Sequence, residues 1–300
     1  MTSNWGKALV PGIKAWYGAT YNEVAEVGLT IFQREKSDKN FEEFVGTSSF
    51  GLFQVKTEGG QMTFDTMQQG FITRFTHYVY MSGFVVTREM NDDEQYGIMR
   101  QQAESLARKG KVTRETMNAN VLLRAETAGY EGGDGSTLLS ATHANKSGGT
   151  WSNKLSVDAD LSETSLESAA IVIGKLTDDR GHYISASPRK LVIPTDSVFE
   201  AARILRSSLQ NDTTNNAVNA LKALNTIPEG FVEWKYLNSD NDCWFVQTDV
   251  PYGLIYVERD ADEFGSDEND FTTENMRSKA RMRFSTGFVD PRGVVGSLGK

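Results

Sequence analysis

From residue 276 to residue 288 the chain alternates: Met276, Ser278, Ala280, Met282 and Phe284 interleave with Arg277, Lys279, Arg281 and Arg283. A period of two belongs to a strand whose faces differ, so this stretch is predicted as a strand with one apolar face and one face of four cations. Cations on one face recur every ~6.6 Å, inside a Debye length of about 8 Å, and repel unless neutralised. Just upstream, residues 260–274 hold seven acids and no base. The reading is a solvated acidic loop and a basic sheet face paired within one subunit or between two. The competing reading, a strand that binds nucleic acid, lacks the aromatic residues that would interleave with the bases on such a face.

The chain as a whole points the same way. Its 31 Lys and Arg against 40 Asp and Glu leave a net charge of −9, which argues against broad attraction to nucleic acid or an anionic membrane. With 300 residues, 39% of them hydrophobic, one to three globular domains are expected. The longest apolar run is 169–173, far short of the roughly 20 residues that span a bilayer, so no membrane partner is expected. Residues 1–17 carry no secretory signal pattern. Cys243 has no partner for a disulfide, and with only His77, His143 and His182 beside it a zinc site is not expected. No cofactor is predicted.

Along the chain, residues 1–45 read as an N-terminal arm with at most a short helix or two, held by docking. Its Trp16, Tyr17, Tyr21, Ile31 and Phe32 need a surface, either a neighbour's or the chain's own core. Residues 46–70 read as an extended β-hairpin around Glu58-Gly59-Gly60-Gln61, Gly-Gly suiting a two-residue turn. If Glu58 pairs with Gln61, then Val55 faces Phe64, Thr57 faces Met62 and Phe53 faces Thr66, while Lys56 faces Thr63 on the polar side. An isolated two-stranded ribbon is marginal in water, so its apolar side needs cover, and another subunit could supply it. Residues 71–88 suit one or two strands. A long amphipathic helix, opened by Asn91-Asp92-Asp93-Glu94, steps through Tyr96, Met99, Ala103 and Leu106 to Val121, with Gly110 a candidate break.

After a glycine-rich stretch at 129–153, α/β patterning takes over. Ser162 caps a helix faced by Leu166, Ala169, Ala170, Ile173 and Leu176, and 190–193 is a strand. Pro194-Thr195-Asp196 opens a helix lined by Val198, Ala201, Ala202, Leu205 and Leu209. Strands follow at 231–237, 243–247 and 254–258. The fold class is α+β, with an arm (1–45), a hairpin loop (46–70) and an α/β part (155–259) inserted between 71–154 and 260–300.

No catalytic constellation emerges. The serine-hydrolase elbow, the zinc-protease helix motif and the Walker loop are absent. Gly132-Gly133-Asp134-Gly135-Ser136-Thr137 lacks the lysine of a phosphate cradle. His182 beside Asp178-Asp179-Arg180 reads as a surface turn, the alternative being a hydrolase that uses His182 and Asp179. His143 reads as a loop residue. The acidic run fails the calcium-loop pattern, because Phe271 falls where an oxygen ligand is required.

Arm, hairpin, long helix and inserted domain, in that order, resemble the major capsid proteins of tailed bacteriophages, whose fold is named after phage Hong Kong ninety-seven. In that family a G-D-G-[ST] stretch often follows the spine helix, and Gly133-Asp134-Gly135-Ser136 matches it. Gly129-Tyr130-Glu131-Gly132, Leu138-Leu139-Ser140-Ala141-Thr142-His143 and Gly148-Gly149-Thr150-Trp151-Ser152-Asn153-Lys154-Leu155 resemble the Mu-type major head subunits. So do Asp178-Asp179-Arg180-Gly181, the 188–194 strand, Asn269-Asp270-Phe271 and Asp290-Pro291-Arg292-Gly293. The likeness spans residues 70 to 296.

It implies a non-enzymatic building block of an icosahedral, DNA-containing head, found in the virion and assembled in the host cytoplasm. Its partners would be its own copies in hexamers and pentamers, packaged double-stranded DNA, and scaffolding, portal and decoration proteins. No helical scaffold segment precedes the arm, so any scaffold is expected to be a separate protein. The expected inter-subunit contacts are Phe53, Val55, Lys56, Glu58, Gly59, Gly60, Met62 and Phe64 on the hairpin and Arg277, Lys279, Arg281 and Arg283 on the basic strand. The covalent Lys–Asn crosslink of some relatives is not carried over to Lys56. A cellular, encapsulin-like shell is the alternative.

Overall fold

The N-terminal segment folds as α1 (Trp5–Glu23), α2 (Gly28–Ile31) and β1 (Gln33–Lys36). The structure is a computed structural model describing residues 5–93, 95–209, 218–267 and 275–299. The hairpin region follows as β2 (Phe41–Thr47) and β3 (Gln69–Thr76), then β4 (Tyr78–Val86), the short α3 (Arg88–Asp92) and α4 (Tyr96–Leu123). Two small strands, β5 (His143–Ala144) and β6 (Thr150–Trp151), mark the glycine-rich stretch. The α/β part supplies α5 (Glu163–Gly174), β7 (Pro188–Ile193), α6 (Val198–Arg206), α7 (Ala220–Ala223), β8 (Phe231–Glu233) and β9 (Trp244–Thr248). The chain closes with β10 (Leu254–Asp267), β11 (Met276–Phe288) and β12 (Val294–Ser297).

The alternation at 276–288 does make a strand. Met276, Ser278, Ala280, Met282 and Phe284 are buried while Arg277 and Lys279 stay exposed. β11 lies between β10 and β4 in a sheet of order β1-β10-β11-β4. Residues 260–267, expected in a loop, are the second half of β10 and bring Asp260 opposite Arg283, Glu263 opposite Arg281 and Asp267 opposite Arg277. Antiparallel pairing therefore lays acids beside the cations, the geometry that relieves their repulsion. The rest of the acidic run and the Asn269-Asp270-Phe271 motif lie outside the described residues.

α4 crosses the buried face of this sheet as one helix of 28 residues, about 42 Å at 1.5 Å per residue. It does not break at Gly110. Thr113 bonds back to Lys109 O at 2.8 Å from inside the helix and caps nothing. Its start also differs from expectation. Thr87, not the Asn91–Asp93 group, caps the preceding α3, and α4 begins after Gln95 without a side-chain cap; Glu94 lies outside the described residues.

The arm is no loose extension. α1 is a 19-residue helix whose Ile13 packs with Met99 and Ala103 and whose Tyr17 packs with Leu106, Ala107 and Ala280. Buried charges then fasten the segment to α4. Lys111 and Arg114 both reach Glu26 (3.0 and 2.8 Å), and Glu115 accepts from Gly28 N (3.0 Å) and Trp234 Nε1 (2.6 Å). Tyr17, Ile31 and Phe32 thus cover the chain's own core.

A second sheet, order β12-β9-β7-β8, carries α5 and α6. Ser162 caps α5 in a full capping box with Ser165, and Leu166, Ala169 and Ile173 turn inward. Residues 235–237, expected to extend a strand, form a 3-10 turn that buries both Trp234 and Leu237. Strand 254–258 belongs to the first sheet as the start of β10, and β12, from the last residues, joins the second.

Candidate assembly surface

The paired part of the hairpin is its base, not its tip. β2 and β3 pair from Phe41–Thr76 to Val45–Ile72, and after a shift at Thr47–Gln69 and one bond from Ser48 N to Gln68 O the ladder ends. Between 49 and 67 the chain runs without strand pairing to a turn in which Gly60 N donates to Thr57 O at 3.0 Å. The turn therefore centres on Glu58 and Gly59, with Gly59 at φ +76. Pairing of Glu58 with Gln61, and the facing pairs that depend on it, are not formed. The physical reason is the one that makes isolated ribbons marginal: the apolar side has nothing to lie on. Phe53 and Val55 are 98% and 95% exposed, Phe64 85% and Met62 62%. Four large apolar side chains of one ribbon thus stand in water.

The ribbon is nevertheless held at its base and at Asp65. Its base is pinned by Phe75, buried edge-on against Phe44 (5.4 Å), and by the glycine-rich segment. A Cβ on Gly133 would stand 2.7 Å from Thr73 Oγ1 and 2.8 Å from Ile72 O, so only glycine lets this segment lie flush on β3. Farther out, Asp65 takes a fork of bonds from Arg180, Nη1 to Oδ2 at 2.7 Å and Nη2 to Oδ1 at 3.2 Å, and accepts from Gly51 N at 2.7 Å. Those donors hold its carboxyl below the usual carboxylate range, the Gly51 bond first and Arg180 next.

Within the glycine-rich stretch is a buried polar hub that the residue pattern does not show. His143, expected in a loop, is fully buried and stacks on Trp151 with centroids 4.5 Å apart. Its Nδ1 meets Asp134 Oδ2 at 2.6 Å and its Nε2 meets Asn153 Oδ1 at 3.0 Å. Asn153 Nδ2 lies within bonding distance of the carbonyls of Leu138 (2.6 Å), Pro291 (3.0 Å) and Val294 (3.0 Å). Those three acceptors fix the amide's orientation, so Nε2 of His143 is a donor. The sequence signal was the cluster of motif residues itself, since Asp134, His143, Trp151 and Asn153 all come from those motifs and meet here.

The alternative active site does not form. His182 Nδ1 approaches Asp178 at 3.4 Å, whereas Asp179 is bound to Arg292 at 3.4 Å. The 178–182 segment is the surface turn expected, with Asp178 Oδ1 accepting from the backbone of Arg180 and His182. Cys243 is buried, donates to Asp240 O at 3.1 Å and has its thiol pushed up to about 12, by burial first and by Asp240 next. A thiol so far from ionisation is not a nucleophile at neutral pH. Among the described residues no cluster of three His, Cys, Asp or Glu could hold a metal, and no helix is long and apolar enough to cross a membrane. On the basic strand, Arg281 pairs with Asp260 at 2.8 Å and Arg283 donates to Asn40 Oδ1 at 2.5 Å.

This architecture is that of viral and virus-like shells. The chain is similar to a chain in the capsid structure of the Cyanophage P-SCSP1u (10% identity, 92% of this chain and 88% of that one, TM-score 0.58). It is also similar to one of Mycobacterium phage Che8 (17% identity, 92% and 93%, TM-score 0.51). A virus-like particle from Pyrococcus furiosus shares the fold too (10% identity, 96% and 98%, TM-score 0.52). No curated protein matches the chain. A family model described as phage capsid protein matches residues 75–297, and the chain belongs to that family. As a member of that family it is a shell-forming structural protein of the virion.

Proposed function

We propose that the chain is the major head protein of a tailed phage of the Mu type, closing as hexamers and pentamers into an icosahedral shell around double-stranded DNA. In this reading the subunit divides into arm, hairpin loop, peripheral part and axial part. The loop lies over a neighbouring copy, and the axial part meets its copies at the five-fold and six-fold axes. The motifs at 129–155, 178–181 and 290–293 support the Mu-type reading. The shell is built in the host cytoplasm, with portal, decoration and scaffolding proteins as partners.

The observation that carries the proposal is the exposed apolar ribbon, in which Phe53, Val55, Met62 and Phe64 stand in water on a single chain. Contacts here would be Lys56, Glu58, Gly59 and Gly60 at the tip as well as those four. Arg277, Lys279, Arg281 and Arg283 would line a second contact beside their acidic partners. Light scattering on the concentrated full-length protein, with electron microscopy of what forms, tests the proposal. Closed shells of like copies are expected, and a monomer under every condition, scaffold included, contradicts it. The likeness to the virus-like particle keeps one second reading, a cellular shell around other cargo. DNA inside particles purified from their source supports the first reading, and protein cargo the second.

A further inference from the structure

The outer ribbon has almost no ladder, yet it is bonded to the 178–182 turn of the same chain. Asp65 is gripped by the forked Arg180 bonds, and Arg180 Nη2 also donates to Thr66 O at 3.1 Å. The Asp65 carboxylate in turn organises the ribbon, accepting from Gly51 N across it and from Thr66 N at 2.9 Å. Arg180 itself stands on a stiff support. The 178–182 turn is closed by Asp178 N to His182 O (2.8 Å), with Gly181 at φ +85. Behind it Arg292 donates Nε to Thr177 O at 2.7 Å, reaches Asp179, and lays its guanidinium over Trp151 at 4.3 Å. An unbroken line of contacts thus runs from the polar hub, through Arg292 and the turn, to Arg180 and the ribbon.

We infer that Arg180 is a positioning residue for assembly: its fork on Asp65, backed by Arg292, sets the angle at which the ribbon leaves the subunit. This rests on the reading that the ribbon docks on a neighbouring copy. A guanidinium fork constrains direction as well as distance, which a lysine cannot do. A segment without a ladder would otherwise lose its conformational freedom at the moment of docking, and holding it beforehand lowers that cost. Both partners of the pair are partly solvent-exposed, and such pairs add little to global stability. Removing the fork should therefore disturb the ribbon and leave the fold in place.

The test compares the full-length parent with Arg180→Ala, Arg180→Lys and a deletion of Glu58 to Gln61. It measures thermal unfolding and hydrogen exchange on subunits and the fraction of closed shells by electron microscopy. Arg180→Ala is expected to unfold at the parent's temperature. The Gly51 and Thr66 amides should exchange on the order of fivefold faster, with a lower yield of closed shells. Arg180→Lys should fall between. Parent-like exchange at those amides, or parent-like shell yield despite faster exchange, overturns the inference. If the tip deletion abolishes shells while Arg180→Ala closes them normally, only the positioning role fails. If the tip-deleted chain closes normal shells, the docking reading fails and takes the positioning role with it.

Discussion

Asn153 serves five partners with one amide, two groups at Oδ1 and three carbonyls around Nδ2. An apolar side chain there would strand those carbonyls and His143 Nε2 away from water, and each orphaned buried group costs about 1–3 kcal/mol. Asn153→Ala should thus lower unfolding stability by about 3 kcal/mol, seen as a drop in denaturant midpoint, and a loss below about 1 kcal/mol would show that the hub is dispensable. Asp65 gives the pH prediction. A carboxyl held below its unfolded value of about 3.9 contributes stability fully present above that pH and lost as pH falls through the lower folded value. Its ribbon contacts should therefore persist through mild acid and release only below the ordinary carboxylate range. Followed by carboxyl NMR titration, the Asp65 midpoint should rise in Arg180→Ala; an unmoved midpoint would remove Arg180 from its causes.

Among the elements, α4 shows what local sequence conceals. Arg108-Lys109-Gly110 has the form of a helix end, but Met99, Ala103, Leu106 and Ala107 before it and Lys111, Arg114 and Glu115 after it all turn toward α1 or the core. Tertiary contacts on both sides carry the helix through the glycine. A Cβ at Gly110 would meet only Tyr17 Oη, at 3.9 Å. Gly110→Ala is therefore expected to stabilise the subunit by about 1 kcal/mol, read as a raised denaturant midpoint; destabilisation would mean that the helix needs the glycine. β11 and α5 were legible because each obeys a local rule, alternation for one and a serine cap for the other. The length of α1 was not, since its apolar residues make sense only against α4. Nor was the burial of His143, whose partners Asp134 and Asn153 lie in different turns of a glycine-rich stretch. The tip pairing failed because a ladder needs cover as well as pattern. Deleting Glu58 to Gln61 should leave helical circular dichroism unchanged, since α1 to α7 lie elsewhere, and a fall in helix signal would make the ribbon part of the monomer's core.

At the scale of the molecule, the subunit is well buried where the arm, the two sheets and α4 meet, and unfinished along the ribbon. The arm's place within the chain's own core narrows the assembly surface, leaving residues 48–68 as the extension with the largest exposed apolar side chains. In the proposed assembly, a second copy covers this surface. The decisive measurement is a reconstruction of the assembled particle at side-chain detail. Phe53, Val55 and Phe64 are expected to be buried against an adjacent copy, with Arg180 and Asp65 still joined in each subunit. A shell in which those three side chains stay in solvent, or fold back onto their own chain, would contradict the account.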